Sequence, residues 1–147
     1  PVSLSERNDL LPAFYSRLTS PSKPIALSAA QAWAAYENSC ATLAAVSRDA
    51  GETALSLALL EAHYFTNDCF LPENYILKQV KAISHLPVFV VQGRHDVICP
   101  PFTAFKLVQA WGRQAQLRMV DDAGHSAFEP GVIGRLMRGL DEIAQQT

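Results

Sequence analysis

The sequence predicts an α/β protein in two parts: a mostly helical region over residues 1–83 and a βαβα unit over residues 84–147. Three observations carry this expectation. Up to about residue 83 the chain reads as helix throughout, in amphipathic and alanine-rich stretches. At Pro87 the texture changes, and Val88-Phe89-Val90-Val91 is a continuous β-branched and aromatic run. Such a run suits a strand buried on both faces of a parallel sheet. After it the pattern is loop, helix, strand, loop and helix, the order of a βα crossover repeated.

In the first part, Leu4 to Leu18 is amphipathic and Ser20-Pro21-Ser22-Lys23-Pro24 punctuates it. Ile25 to Ala35 is rich in alanine, the strongest helix former. Gly51 to Phe65 is apolar on nearly every side, so a helix there is expected to be buried on most of its surface. A further helix is expected from about Asn74 to Ile83, ahead of the break at Leu86-Pro87. In the second part, the first strand ends at Gly93. Phe102 to Trp111 follows Cys99-Pro100-Pro101 and closes at Gly112, with proline before the helix and glycine after it. Gln116 to Val120 is the second strand, Asp121 to Gly124 the turn after it, and Pro130 to Ala144 the final helix. Two parallel strands do not make a stable sheet alone. The missing strands are therefore expected before residue 1, in a longer chain. The first residue, Pro1, fits a removed leader or a start within a longer protein.

Composition narrows the function classes. With 49% hydrophobic and 18% charged residues and a net charge of −2, the chain is of ordinary globular character. Lys and Arg are not clustered as a nucleic-acid footprint requires, and no apolar run reaches the roughly 18 residues that span a bilayer. The first residues have neither the basic nor the apolar segment of a signal peptide. Cys40, Cys69 and Cys99 are widely spaced, forming neither a zinc motif nor a disulfide framework, which suits a reducing, cytoplasmic setting. No metal or organic cofactor is expected.

In an open α/β sheet the working residues lie on loops at the carboxyl ends of the strands. Two loops hold that position: Gly93-Arg94-His95-Asp96, and Ala123-Gly124-His125-Ser126. A right-handed crossover brings both to one edge of the sheet, so Asp96 and His125 can meet. An aspartate bonded to one imidazole nitrogen fixes the tautomer and leaves the other nitrogen to take a proton. Taken singly, an aspartate there often only caps a helix, and a Gly-His pair often only makes a turn. The order aspartate then histidine on consecutive βα loops is that of α/β-hydrolases, whose serine comes earlier. None of the seven glycines opens the G-x-S-x-G of a nucleophile elbow, and no HGGG-type oxyanion loop is present.

HLPVFVVQGRHDVICPP and DDAGHSAFEPG together resemble the C-terminal part of the proline iminopeptidases, α/β-hydrolase-fold serine peptidases that release an N-terminal proline. The first half agrees: AWAAYE (32–37) and LEAHYF (60–65) resemble two stretches of that family's helical cap. The resemblance implies that residues 1–83 are most of the cap and residues 84–147 the closing portion of the hydrolase domain. It implies Asp96 as triad acid and His125 as triad base. It implies Glu37 and Glu61 as ligands of the substrate's free amine, Phe65 as part of the proline pocket, and Cys99 beside that pocket. His95 stands where the family commonly has tyrosine, and Ala62 where it has asparagine.

Physical chemistry bears on the two glutamates independently. Glu61 lies in an almost wholly apolar helix and Glu37 at the end of an alanine-rich one. A carboxylate in such surroundings is costly unless a cation pairs with it. The secondary ammonium of an N-terminal proline offers two N–H donors, and a blocked terminus leaves both carboxylates unpaired. Read without the resemblance, each glutamate merely reaches solvent or pairs with Lys or Arg, and Phe65 is core packing.

The leading expectation is thus a fragment of a proline iminopeptidase whose substrate is a peptide with a free N-terminal proline. Without the missing N-terminal half and its serine, the isolated chain is expected to be inactive. Another α/β-hydrolase, such as an esterase or epoxide hydrolase, is the alternative within the fold. A non-catalytic, self-associating module is the alternative outside it. Apolar faces left by the absent half favour a dimer or higher oligomer.

Overall fold

The computed structural model describes residues 2–43 and 52–145. These form two compact units, the first drawn from residues 1–38 and 47–73 and the second from residues 39–46 and 74–147.

The first unit is helical. A 3₁₀ turn, Ser5–Asn8, precedes α1 (Leu10–Leu18). The single helix expected over Leu4 to Leu18 is thus two, because Asp9 between them is extended, with φ −146° and ψ 93°. Aspartate is a poor helix former and a good helix opener, so the break falls where propensity is weakest. Arg17 on α1 reaches back to Glu6 in the 3₁₀ turn with two bonds of 2.9 Å, and so ties the two pieces together. Helix α2 runs Lys23–Ala41, beyond the Ile25–Ala35 expected, so Glu37 lies one turn before its end rather than at it. Helix α3 (Glu52–Phe65) matches the expected position, Gly51 lying outside the described residues.

The core of this unit is built on small residues. Leu18, Ala29, Ala30, Ala58 and Ala62 are buried, and Leu11, Phe14, Tyr15, Trp33, Leu55 and Leu59 pack around them. Alanines at 58 and 62 lie one turn apart on one side of α3, which brings that side close to its neighbours. The opposite outcome befalls the leucines. Leu57 is 52% and Leu60 60% exposed, so α3 is not buried on most sides as its composition suggested. Apolar content alone does not say which side packs, and here side-chain size decides. After α3, Asp68, Cys69 and Phe70 take positive φ values of 49–56° in a short turn, Asp68–Phe70.

The second unit holds the sheet. Before it, the helix expected from Asn74 to Ile83 is only α4 (Tyr75–Gln79) followed by a 3₁₀ turn, Val80–Ala82. Asn74 opens α4 in the left-handed conformation that asparagine tolerates. Strands β1 (Val88–Gly93) and β2 (Ala115–Val120) pair in parallel, Val88 opposite Ala115 and Gly93 opposite Val120. Helix α5 (Pro101–Trp111) joins them and α6 (Pro130–Ala144) follows, so the βαβα order expected is present. Pro101 opens α5, and Gly112 closes it at φ 94°, a value that glycine takes without strain. The Trp111 indole N–H donates to the Leu86 carbonyl at 3.0 Å, holding the end of α5 against the entry to β1.

Both helices pack on the sheet. Val91 of β1, Val120 of β2, Ala123 and Val132 of α6 make the small core. A methyl group at Gly139 of α6 would stand 3.2 Å from the Phe89 ring, so glycine lets the helix lie flat on that strand. Arg118 lies over the Phe89 ring at 5.1 Å and pairs with Glu142 of α6 at 2.9 Å. The full burial expected for β1 is not met. Val88 to Val91 are half-buried, and only Gln92 and Gly93 are buried. Two strands cover too little surface to bury one another. No helix of the described residues is long and apolar enough to cross a membrane.

Candidate active site

The carboxyl ends of β1 and β2 meet through their backbones. Arg94 N–H donates to the Val120 carbonyl at 2.9 Å and His95 N–H to the Ala123 carbonyl at 3.0 Å. At Gly93 the approach is so close that a Cβ would overlap the Gly124 carbonyl. Glycine is required there, since no side chain fits between the two loops. Arg94 also pairs with Asp121 at 2.6 Å, at an exposed position where such a pair adds little stability.

This junction brings Asp96 and His125 together. His125 Nδ1 lies 3.0 Å from Asp96 Oδ2 and 3.2 Å from Oδ1. A carboxylate only accepts, so the Nδ1 hydrogen fills the contact and Nε2 is left to take up a proton. Asp96 is 7% exposed, whereas the His125 side chain is 39% exposed. The carboxylate is therefore enclosed and the imidazole accessible.

The aspartate has further partners. Oδ1 accepts the backbone N–H groups of Ile98 at 3.0 Å and Cys99 at 2.8 Å, and Oδ2 accepts the Gln92 amide at 3.1 Å. The histidine loop is held by its main chain. His125 N–H and Ser126 N–H both donate to the Ala41 carbonyl, at 2.9 and 2.8 Å. Gly124 N–H donates to Glu129 Oε1 at 2.7 Å. Of these supports, Gln92 and Glu129 carry a faint sequence signal: a polar residue closing an apolar strand, and an acid just before a Pro-initiated helix. Ala41 carries none, because its contribution is a peptide carbonyl.

Cys99 is exposed as a residue and contributes its main chain to the aspartate loop. Partial burial, and then the negative charge of Asp96, push its thiol up from the ordinary range, so it stays protonated at neutral pH and is a poor nucleophile.

In the first unit the structure joins Glu61, Trp33 and Phe65. The Trp33 indole N–H donates to Glu61 Oε2 at 2.9 Å, and the Trp33 and Phe65 rings stack with centroids 6.3 Å apart and an interplanar angle of 21°. The indole, rather than a Lys or Arg, is thus the partner of Glu61. Phe65 remains 48% exposed, so it is not enclosed core packing. Glu37 is half-buried on α2, four residues after Trp33 and so on the same side of that helix. Among the described residues, no group of three His, Cys, Asp or Glu is placed to hold a metal ion.

No family model matches the chain. A proline iminopeptidase of Xylella fastidiosa is 39% identical over 144 residues, which is 94% of this chain and 46% of the relative. A probable proline iminopeptidase of Leptolyngbya boryana is 37% identical across 100% of this chain and 48% of its own length. One from Arabidopsis thaliana is 38% identical over 88% of this chain and 36% of its own. The chain is a homologue of the proline iminopeptidases. It spans about half the length of the curated relatives that it matches or less, and the resemblance seen in the motifs extends over nearly all of its sequence.

Proposed function

We propose that this chain supplies the acid, the base and the amine-recognising residues of an α/β-hydrolase-fold proline iminopeptidase. The observation that carries the reading is the Asp96–His125 pair at the ends of two consecutive parallel strands, in a homologue of those enzymes. On this reading residues 1–83 act as the cap and residues 84–147 close the hydrolase domain. The serine and the oxyanion donors come from the half of the relatives that the chain does not match. Each strand of the two-stranded sheet has one unpaired edge among the described residues, which suits a sheet continued by that half.

His125 Nε2 takes the proton of the serine as its oxygen attacks the scissile carbonyl, and returns it to the departing amine. It then takes a proton from water and returns it to the serine as proline leaves. Asp96 holds the imidazole with Nδ1 protonated and stabilises the imidazolium formed in each half-reaction. Glu37 and Glu61 receive the two N–H donors of the substrate's secondary ammonium. The Trp33 indole fixes one oxygen of Glu61 and leaves the other for the substrate. Phe65, stacked on Trp33, offers an apolar surface to the proline ring.

The test uses proline p-nitroanilide. The 147-residue chain alone should not turn it over, and measurable activity there overturns the assignment of the nucleophile to another segment. Joined to a segment bearing a nucleophile elbow, the chain should be active. N-acetylation of the substrate should then lower kcat/KM at least about 100-fold, from two lost charge-assisted bonds. His125→Ala should lower kcat by about three orders of magnitude or more. Equal turnover of the acetylated substrate rules out amine recognition and favours an esterase-like reading.

A further inference from the structure

The Gln92 side chain is buried at the end of β1, beneath the loop that carries Asp96, and the triad mechanism leaves it without a task. Gln92 is 8% exposed. Its Nε2 lies 3.1 Å from Asp96 Oδ2, 3.1 Å from the Cys99 carbonyl and 3.2 Å from the Gly93 carbonyl. All three neighbours accept only, so the amide faces them with its NH₂ group, which has two hydrogens to share among three acceptors. A glutamine serving only to cap the loop would need the carbonyls alone; this one also meets the carboxylate.

We infer that Gln92 is a positioning residue for the acid–base pair, setting the plane of the Asp96 carboxylate so that Oδ2 meets His125 Nδ1. The amide acts on both carboxylate oxygens. It binds Oδ2 directly. It also holds the carbonyl of Cys99, the residue whose N–H binds Oδ1. With Gln92 in place, neither oxygen can swing without breaking a bond in a buried setting, where lost bonds are costly. The inference rests on Asp96 and His125 being the acid and base, but not on the identity of the substrate.

Proton NMR of the 147-residue chain tests it without any turnover. The unsubstituted chain should show a low-field, exchange-protected resonance from His125 Nδ1–H. In Gln92→Met, which keeps the side chain's length and removes both donors, that proton should exchange about tenfold faster or broaden away, with the other amide signals unchanged. An unaltered His125 resonance in a folded Gln92→Met chain overturns the inference. Should Gln92→Met not fold, the same link is read from its other end. One Gln92 side-chain amide proton should exchange about tenfold faster in Asp96→Ala, and an unchanged rate again overturns it. No protected Nδ1 proton in the unsubstituted chain would remove the acid–base pair itself, and this inference with it. A protected proton that Gln92→Met leaves untouched removes only the inference.

Discussion

Asp96 in the sheet unit and Glu61 in the helical unit are both carboxylates drawn out of bulk water, and they are held in different ways. Asp96 is gripped within one short stretch: Gln92, Ile98 and Cys99 all lie within four residues of it, and His125 completes the set. Glu61 has one described hydrogen bond, from an indole on a different helix. The first arrangement is dictated by a loop and the second by the packing of helices. A local grip survives small shifts elsewhere, whereas a packed one moves with its helices. On the proposed function, that suits an acid that stays fixed and a recognition group that meets an incoming ligand.

Breaking the loop junction should have the largest effect. Gly93→Ala drives a methyl into the Gly124 carbonyl, backbone against backbone, and should cost about 3 kcal/mol or more of stability in denaturant unfolding. A loss under about 1 kcal/mol means that the loops part more easily than the geometry implies. Asp96→Ala comes next. It strands two backbone N–H groups and the Gln92 amide, and should cost about 2–3 kcal/mol by the same measurement.

On the helical side the effect should be smaller. Trp33→Phe keeps a ring against Phe65 but removes the donor to Glu61, at about 1.5 kcal/mol. If Trp33→Phe costs as much as Asp96→Ala, the contrast between local and packed support fails. Smallest is the Glu6–Arg17 pair. The Arg17 guanidinium, and next the Ser3 backbone N–H, lower the Glu6 carboxyl from 4.5 to about 2. A carboxylate lowered on folding stabilises fully above its unfolded value and loses that contribution as pH falls through its folded one. The Tm difference between the chain and Glu6→Gln should therefore be constant above about pH 4.5 and vanish near pH 2, and salt should shrink it. A difference independent of pH contradicts this.

Much of the sheet unit could be read from the residues because its signals are local. A β-branched run, Pro before α5, Gly after it and a turn before His125 each act within a few positions. Crossover handedness allowed Asp96 to meet His125, and the order of the two loops and the family resemblance pointed to the same pair. The helical unit was harder. The division at Asp9 and the leucines left outside on α3 depend on which face finds a partner, and sequence periodicity does not name the partner. The indole on Glu61 was equally hidden, since a buried carboxylate suggests a cation and a tryptophan suggests core. The supports supplied by main chain, Ala41 above all, leave no trace in residue type.

That last contact has a consequence for motion. The Ala41 carbonyl, which takes both the His125 and Ser126 N–H groups, belongs to the final residue of α2. Helix ends open and close more readily than helix interiors. Opening of that last turn frees the two amides beside the imidazole, which links the histidine loop to the end of α2. The imidazole loop is, in that sense, tied to a helix terminus.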